Sequence, residues 1–125
     1  MTKEEIKNKL EYYSSYFEAM FWADVENNDD LQRNDYLFTD INEVNLITQI
    51  KELDSFFEKA DTILEDTEYT HDQACHDFYF TRCGHGVGFW ENDHCNEKQG
   101  IQLTEIAKEF GTVYIGDDGN QLFVE

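Results

Sequence analysis

Ile6, Leu10, Tyr13, Phe17 and Met20 recur at alternating steps of four and three, which places them on one face of a helix over about residues 3–24. Thr2 and Glu5 have the spacing of a capping box ahead of it. Tyr12, Tyr16 and Trp22 lie beside the stripe and widen it. The polar cluster Glu26-Asn27-Asn28-Asp29-Asp30 ends the helix in a loop, and an irregular stretch from Leu31 to Phe38 follows. Asp40 is placed to cap a second helix with Glu43 as its reciprocal partner. Val44, Ile47, Ile50, Leu53, Phe57, Ala60 and Leu64 supply the buried stripe of that helix.

Thr70 and Gln73 mark a third, short helix over about His71–His76, after which the period changes. Phe78–Arg82 and Val87–Trp90 are β-prone runs on either side of Gly84-His85-Gly86, a hairpin pattern. A loop from Asn92 to Gly100 leads to an amphipathic helix with Leu103, Ile106, Ala107 and Phe110 inward, closed by Gly111. Val113–Ile115 and Leu122–Val124 flank Gly116-Asp117-Asp118-Gly119, a second hairpin signal. The predicted fold is α+β: two long N-terminal helices, a short helix, then two β-hairpins around a further helix, the hairpins sharing one antiparallel sheet. Residues 1–125 are expected to form one domain, with an acidic helical part to about residue 70 and a hairpin-and-helix part from about 71.

Charge changes the picture. Twenty-eight Asp and Glu oppose nine Lys and Arg, a formal charge of -19. Between Glu18 and Glu68 fifteen acids face only Arg33, Lys51 and Lys59. Such a field repels nucleic acid and anionic membrane and favours cationic surfaces. Nineteen aromatic side chains argue against an acidic disordered tail. No apolar run approaches the ~20 residues of a membrane span, and no cationic-then-apolar leader opens the chain. Three cysteines, Cys75, Cys83 and Cys95, are an odd set that is expected to stay reduced, pointing to the cytoplasm.

The C-terminal half carries a longer pattern. His76-Asp77-Phe78-Tyr79-Phe80-Thr81-Arg82, Gly84-His85-Gly86-Val87-Gly88-Phe89-Trp90, Leu103-Thr104-Glu105 and Gly116-Asp117-Asp118-Gly119 follow one another in order. They resemble a family of small phage-encoded proteins with the pattern H-D-F-W-L-T-R-x-G-H-G-x-G-F-W-D, continued by an L-T-E helix and a G-D-D-G turn. The resemblance covers about the last fifty residues, and the first seventy match it in layout only. It implies a viral or mobile-element origin and a cytoplasmic site in an infected bacterium. It transfers no catalytic residue, because the family has no assigned chemistry. Cys75 and Cys83 stand where that pattern commonly has Gly and Asn, and Tyr79 replaces a Trp.

Candidate chemistry falls into three groups. Cys75, His76, Cys83 and His85 are metal-ligand types, yet no C-x2-C or H-x3-H spacing joins them, so no metal and no other cofactor is expected. His76, Asp77 and His85 could serve as an acid–base group, with His85 exposed at a hairpin tip. The plainer reading has His76 and Asp77 ordering the start of a strand and Arg82 pairing an acid of the second helix. Gly86 and Gly88 lack the Lys-Ser/Thr and following helix of a phosphate loop. Asp117-Asp118-Gly119-Asn120 reads as a tight turn, not a calcium loop.

The third group is the acids themselves. Asp29, Asp30, Asp35, Asp40, Glu43, Asp54, Glu58, Asp61, Glu65 and Glu68 could form a row comparable with duplex phosphates, along helices of about 33–36 Å. Tyr12, Tyr36 and Tyr69 are the expected exposed aromatics beside them. The leading expectation is therefore a phage-type acidic inhibitor that binds the cationic nucleic-acid site of a host protein, such as a CRISPR effector, a restriction enzyme or another DNA-processing enzyme. It would make or break no bond and bind no nucleic acid or membrane itself. The alternatives are a metal-dependent or acid–base enzyme using His76, Asp77 and His85, and an acidic adaptor with no nucleic-acid-site target.

Overall fold

A computed structural model describes residues 1–32, 34–85, 88–90 and 93–125. The elements are α1 (Lys3–Tyr12), α2 (Ser14–Met20), a π-helical turn (Phe21–Val25), α3 (Asp29–Gln32), a 3-10 turn (Phe38–Asp40), α4 (Glu43–Leu64), α5 (His71–Arg82), α6 (Glu97–Lys108), β1 (Ile115–Asp117) and β2 (Leu122–Val124). The α+β class therefore holds, with helices dominant.

The expected first helix is divided: α1, α2 and the π turn cover its span, with a break at Tyr13. Its capping box forms as predicted between Thr2 and Glu5. At Tyr13 the backbone leaves the helical region (φ -104, ψ 21). The cause is a side chain inserted into the ladder: the Tyr12 carbonyl lies 2.8 Å from His71 Nε2, and the Tyr16 amide turns instead to Tyr13 O. Beyond α2 the Glu26 amide reaches back five residues to Phe21 O at 2.7 Å, which defines the π turn. Ile6, Tyr13, Phe17 and Met20 are buried as the spacing requires. Trp22, expected to widen that stripe, is 60% exposed.

α4 is capped two residues later than expected. Asn42, not Asp40, accepts the Asn45 amide, while the Asp40 carboxylate accepts from Leu37 N at 2.7 Å. Its buried face is Leu46, Gln49, Ile50, Leu53, Phe56 and Ala60, rotated from the expected stripe, and Val44 is 70% exposed. The rotation follows from α5, whose Phe78 stacks on Phe56 with centroids 4.1 Å apart.

The largest correction concerns Phe78–Arg82, predicted as a strand and found as the second half of α5. Thr70 and Gln73 form the predicted capping box, but the helix continues six residues past His76. Phe78, Tyr79, Phe80, Thr81 and Arg82 are all buried, because α5 is covered by α2 on one side and α6 on another. A helix buried all round shows no amphipathic period, so its aromatic run imitates a core strand. The tip of the supposed hairpin is a helix stop. Gly84 adopts φ +71, its amide donates to Thr81 O, and the His85 amide donates to Phe80 O, the paired bonds of a Schellman cap. Gly88–Trp90 form a bend and turn rather than a strand. Gly86 and Val87, the rest of that predicted loop and strand, lie outside the described residues. A Cβ on Gly88 would stand 2.4 Å from Thr81 Oγ1, so glycine lets this turn press onto α5 and seat Phe89 against Phe56.

Among the described residues one hairpin remains of the two expected. β1 and β2 pair antiparallel, Ile115 with Val124 and Asp117 with Leu122. Asp118 accepts the Asn120 and Gln121 amides at 2.9 Å, closing the turn, and these bonds hold its carboxyl below the usual range. The hairpin docks at the start of α4: Asn42 N donates to Leu122 O, and Val124 N donates to Asn45 Oδ1. α6 starts at Glu97, capped by Asn96, four residues earlier than the sequence suggests.

Arg82 joins these pieces. Its side chain is 1% exposed, and its guanidinium donates to Glu52 Oε2 (2.6 Å), Tyr16 Oη (3.1 Å), Phe110 O and Gly111 O (both 2.8 Å). Tyr16 passes its own proton to Gln49 Oε1 at 2.5 Å, so the buried amide is satisfied too. The predicted pairing of Arg82 with an acid of the second long helix is thus present. Burial alone would lower the Arg82 pKa, but the Tyr16 and Glu52 oxygens outweigh it and the net shift is upward. Substituting Arg82 by Met orphans four acceptors, one of them the half-buried Glu52 carboxylate, and is expected to cost about 3 kcal/mol or more in urea unfolding. Arg82→Lys should recover little, since an ammonium cannot reach all four acceptors. Gly84→Ala, forced into the left-handed region, should cost roughly 1–2 kcal/mol in the same measurement.

Candidate interaction surfaces

α4 and its C-terminal cap carry five of the ten predicted acids. At 3.6 residues per turn, Glu43, Asp54, Glu58, Asp61 and Glu65 fall within an arc of about 60°, along a helix of about 33 Å. Glu43, Glu58, Asp61 and Glu65 are exposed, and among the described residues none of these four forms an ion pair. Lys59, the nearest cation in the chain, is drawn away to Glu109 on the α6 side at 3.1 Å. Asp61 and Glu65 sit at the C-terminal end of α4, where the macrodipole disfavours negative charge. That local cost marks the stripe as something other than helix optimisation.

Asp54 departs from the expected row. It is half-buried, accepts from Lys9 Nζ at 2.8 Å and from the Tyr13 hydroxyl, and so serves to fasten α1 to α4. The remaining acids belong to the segments that flank α4. Asp29 and Asp30 are exposed in α3, and Asp35 is exposed with φ 48. Asp40 is half-buried on its bond to Leu37, and Glu68 is exposed with its amide on His94 O. Of the expected aromatics only Tyr12 is exposed. Tyr36 is buried, its hydroxyl donating to Asp117 at 2.5 Å, and that bond pushes its pKa up to about 12. Tyr69 is half-buried and donates to Asp77 at 2.6 Å.

The alternative acid–base group of His76, Asp77 and His85 is not brought to one point. His85 is half-buried against Asp24, with Nε2 3.1 Å from Oδ2, instead of standing at a mobile tip. The same Asp24 oxygen accepts from the Tyr79 hydroxyl. Asp77 holds Tyr69 and lies 3.9 Å from His76 Nδ1. His76 packs edge-on to Phe80, ring centroids 4.5 Å apart, so it does not order a strand. Asp24 was not singled out by its sequence context, since only the wide π turn aims it at α5.

Nor do the metal-ligand types converge. Cys75 is buried with its sulfur 3.6 Å from His71 Nε2, whereas His76, the next residue, is exposed. Burial, with the nearby Asp72 charge, pushes the Cys75 thiol up to about 12, and burial likewise raises Cys83. Among the described residues no three His, Cys, Asp or Glu side chains come together in a way that could hold a metal ion. No helix of the described residues is long and apolar enough to cross a membrane.

One further surface was not foreseen. A groove of about 1170 Å³ runs between the α1–α2–π wall and residues 36–46. Leu10, Phe21, Phe38 and Leu46 line it, and Trp22 and Leu37, the latter 66% exposed, stand on its opposite sides. Glu11, Glu18, Glu26 and Glu43 edge it, with Lys3 and Lys7 at the α1 end. Trp22 was the readable signal: a large aromatic placed off the apolar stripe is a candidate for exposure.

Comparison with family models, with curated proteins and with solved structures finds no match for this chain.

Buried phenols and the buried thiol set a pH limit. Burial raises the pKa of Tyr13, Tyr16 and Tyr79 above the ordinary 10.0, with Asp54 adding to the rise at Tyr13 and Asp24 at Tyr79, and raises Cys75 above 9.0. The unfolded chain loses these protons first, so their stabilising contribution is complete below about pH 9 and drains away as pH climbs. The urea midpoint should fall between pH 9 and 11, with a slope of up to about 1.4 kcal/mol per pH unit for each group that titrates.

Proposed function

We propose that this protein is a phage-type acidic inhibitor that occupies the cationic nucleic-acid-binding surface of a host protein. The observation that carries this reading is the exposed acidic face of α4, with Glu58, Asp61 and Glu65 within about 10 Å at its C-terminal end and Glu43 about 22 Å away, none with an ionic partner among the described residues, on a helix about 33 Å long. That length is close to one turn of duplex, so the stripe can meet lysines and arginines arranged to follow phosphates. A 22-residue helix fixes the backbone beneath the carboxylates in advance, so binding has only their side chains to order. Asp54 takes no part in recognition, because Lys9 already neutralises it.

The sequence resemblance to small phage-encoded proteins supports an anti-defence role, against a CRISPR effector, a restriction enzyme or another DNA-processing enzyme. The site of action is then the cytoplasm of an infected bacterium. The role is steric and electrostatic, with no bond made or broken. His85 is engaged by Asp24 and the Asp77 carboxylate by the Tyr69 hydroxyl, which favours this reading over an acid–base enzyme built on His76, Asp77 and His85.

The test is capture from a lysate of the bacterial host, with the identified partner then titrated in purified form. Competing duplex DNA should displace the partner, and affinity should fall at least about tenfold between 50 and 300 mM salt. Glu58→Lys, Asp61→Lys and Glu65→Lys together should abolish capture while leaving the far-ultraviolet circular dichroism unchanged. Binding indifferent to salt, to duplex and to these reversals would sink the proposal.

A further inference from the structure

We propose that the groove between α1–α2–π and residues 36–46 is a docking site for a basic amphipathic helix of a partner protein. The inference stands apart from the α4 stripe, with which the groove shares only Glu43. Trp22 and Leu37 leave large apolar surfaces open at facing walls, 60% and 66% exposed, over a floor that includes Phe21 and Leu46. Side chains of that size left in water on two sides of one trough mark a contact surface rather than incidental exposure. From Ile6 to Trp22 the helical wall is about 24 Å long, the length of a helix of about sixteen residues.

The shape and charge of the groove choose the occupant. Neither β1 nor β2 lines it, so no sheet edge is offered to an extended peptide. Side chains on helical walls instead receive a helix through apolar anchors at i, i+3, i+4 and i+7. Glu11, Glu18 and Glu26 follow one another along the same wall, seven and eight residues apart, and the wider π turn absorbs the extra residue and keeps Glu26 at the edge. Glu43 stands on the other side. An occupant whose apolar stripe is flanked by Lys and Arg satisfies both edges, and Lys3 and Lys7 orient it by repelling its most basic end. An anionic lipid is excluded by the same carboxylates. A second copy of the chain would bring a further charge of -19 against them.

Trp22 supplies the readout once Trp90, the second tryptophan, is replaced by Phe. The probe is a synthetic eighteen-residue amidated helix with Leu on one face and Lys on the other, and the controls are a scrambled version and one with Glu for Lys. The Leu/Lys helix should shift Trp22 emission to shorter wavelength, and neither control should. Leu37→Ser, at an exposed position and with no change of charge, should weaken binding at least about tenfold, as expected of a central anchor. Glu58→Gln, Asp61→Asn and Glu65→Gln together should change it less than about twofold, which separates this site from the α4 stripe. The proposal is overturned if the scrambled helix binds equally, or if the α4 changes weaken binding and Leu37→Ser does not. It is overturned equally if sedimentation without peptide shows a dimer that Leu37→Ser disperses, since the occupant is then a second copy.

Discussion

The guanidinium of Arg82 is the constraint on which the rest of the structure depends. It lies at the last residue of α5 and reaches Tyr16 on α2, Glu52 on α4 and the two carbonyls that follow α6. Arg82 thus ties α5 to three other parts of the chain, and its buried charge is tolerable only because α2, α4 and the segment after α6 each supply oxygen to it. The same contact fixes the turn after α6, where Gly111 at φ 75 has already ended the helix. With α4 held in this way at Glu52, its opposite face, which carries the exposed acids, is left to solvent.

Much of the architecture was legible in the chain. The capping boxes at Thr2 and Thr70, the stripe of Ile6, Tyr13, Phe17 and Met20, the long α4, the final hairpin and the Arg82 ion pair all follow from spacing and chemistry. The second half of α5 was not. Phe78, Tyr79 and Phe80 are all buried because neighbouring helices cover α5 on more than one side, and a side chain buried on every face writes no period into the sequence. Gly84 was then read as a hairpin residue when it is a helix stop, since both uses need the same positive φ. Local residue type was right in each case and the tertiary surroundings decided its use.

The candidate surfaces divide in the same way. Helical arithmetic was sufficient to align the α4 acids, whereas the pairing of Asp54 with Lys9 joins residues forty-five positions apart and leaves no local mark. Tyr36 and Tyr69 have the residue type of a contact aromatic, but each finds a carboxylate, Asp117 or Asp77, that lets it turn inward. The groove depends on how α1 and the 36–46 segment approach each other, a distance that no single stretch of sequence encodes.

The π turn at Phe21–Val25 holds one residue more than an ordinary helical turn would need. This makes it the point where the chain absorbs a change of length. Loss of one residue there restores regular α-helix without stranding any amide and leaves Phe17 and Met20 in their seats. The cost falls on Asp24, which would swing away from Tyr79 and His85, and on Glu26, which would leave the edge of the groove. Related chains that differ by a single deletion at this turn would thus keep the scaffold and exchange one surface for another.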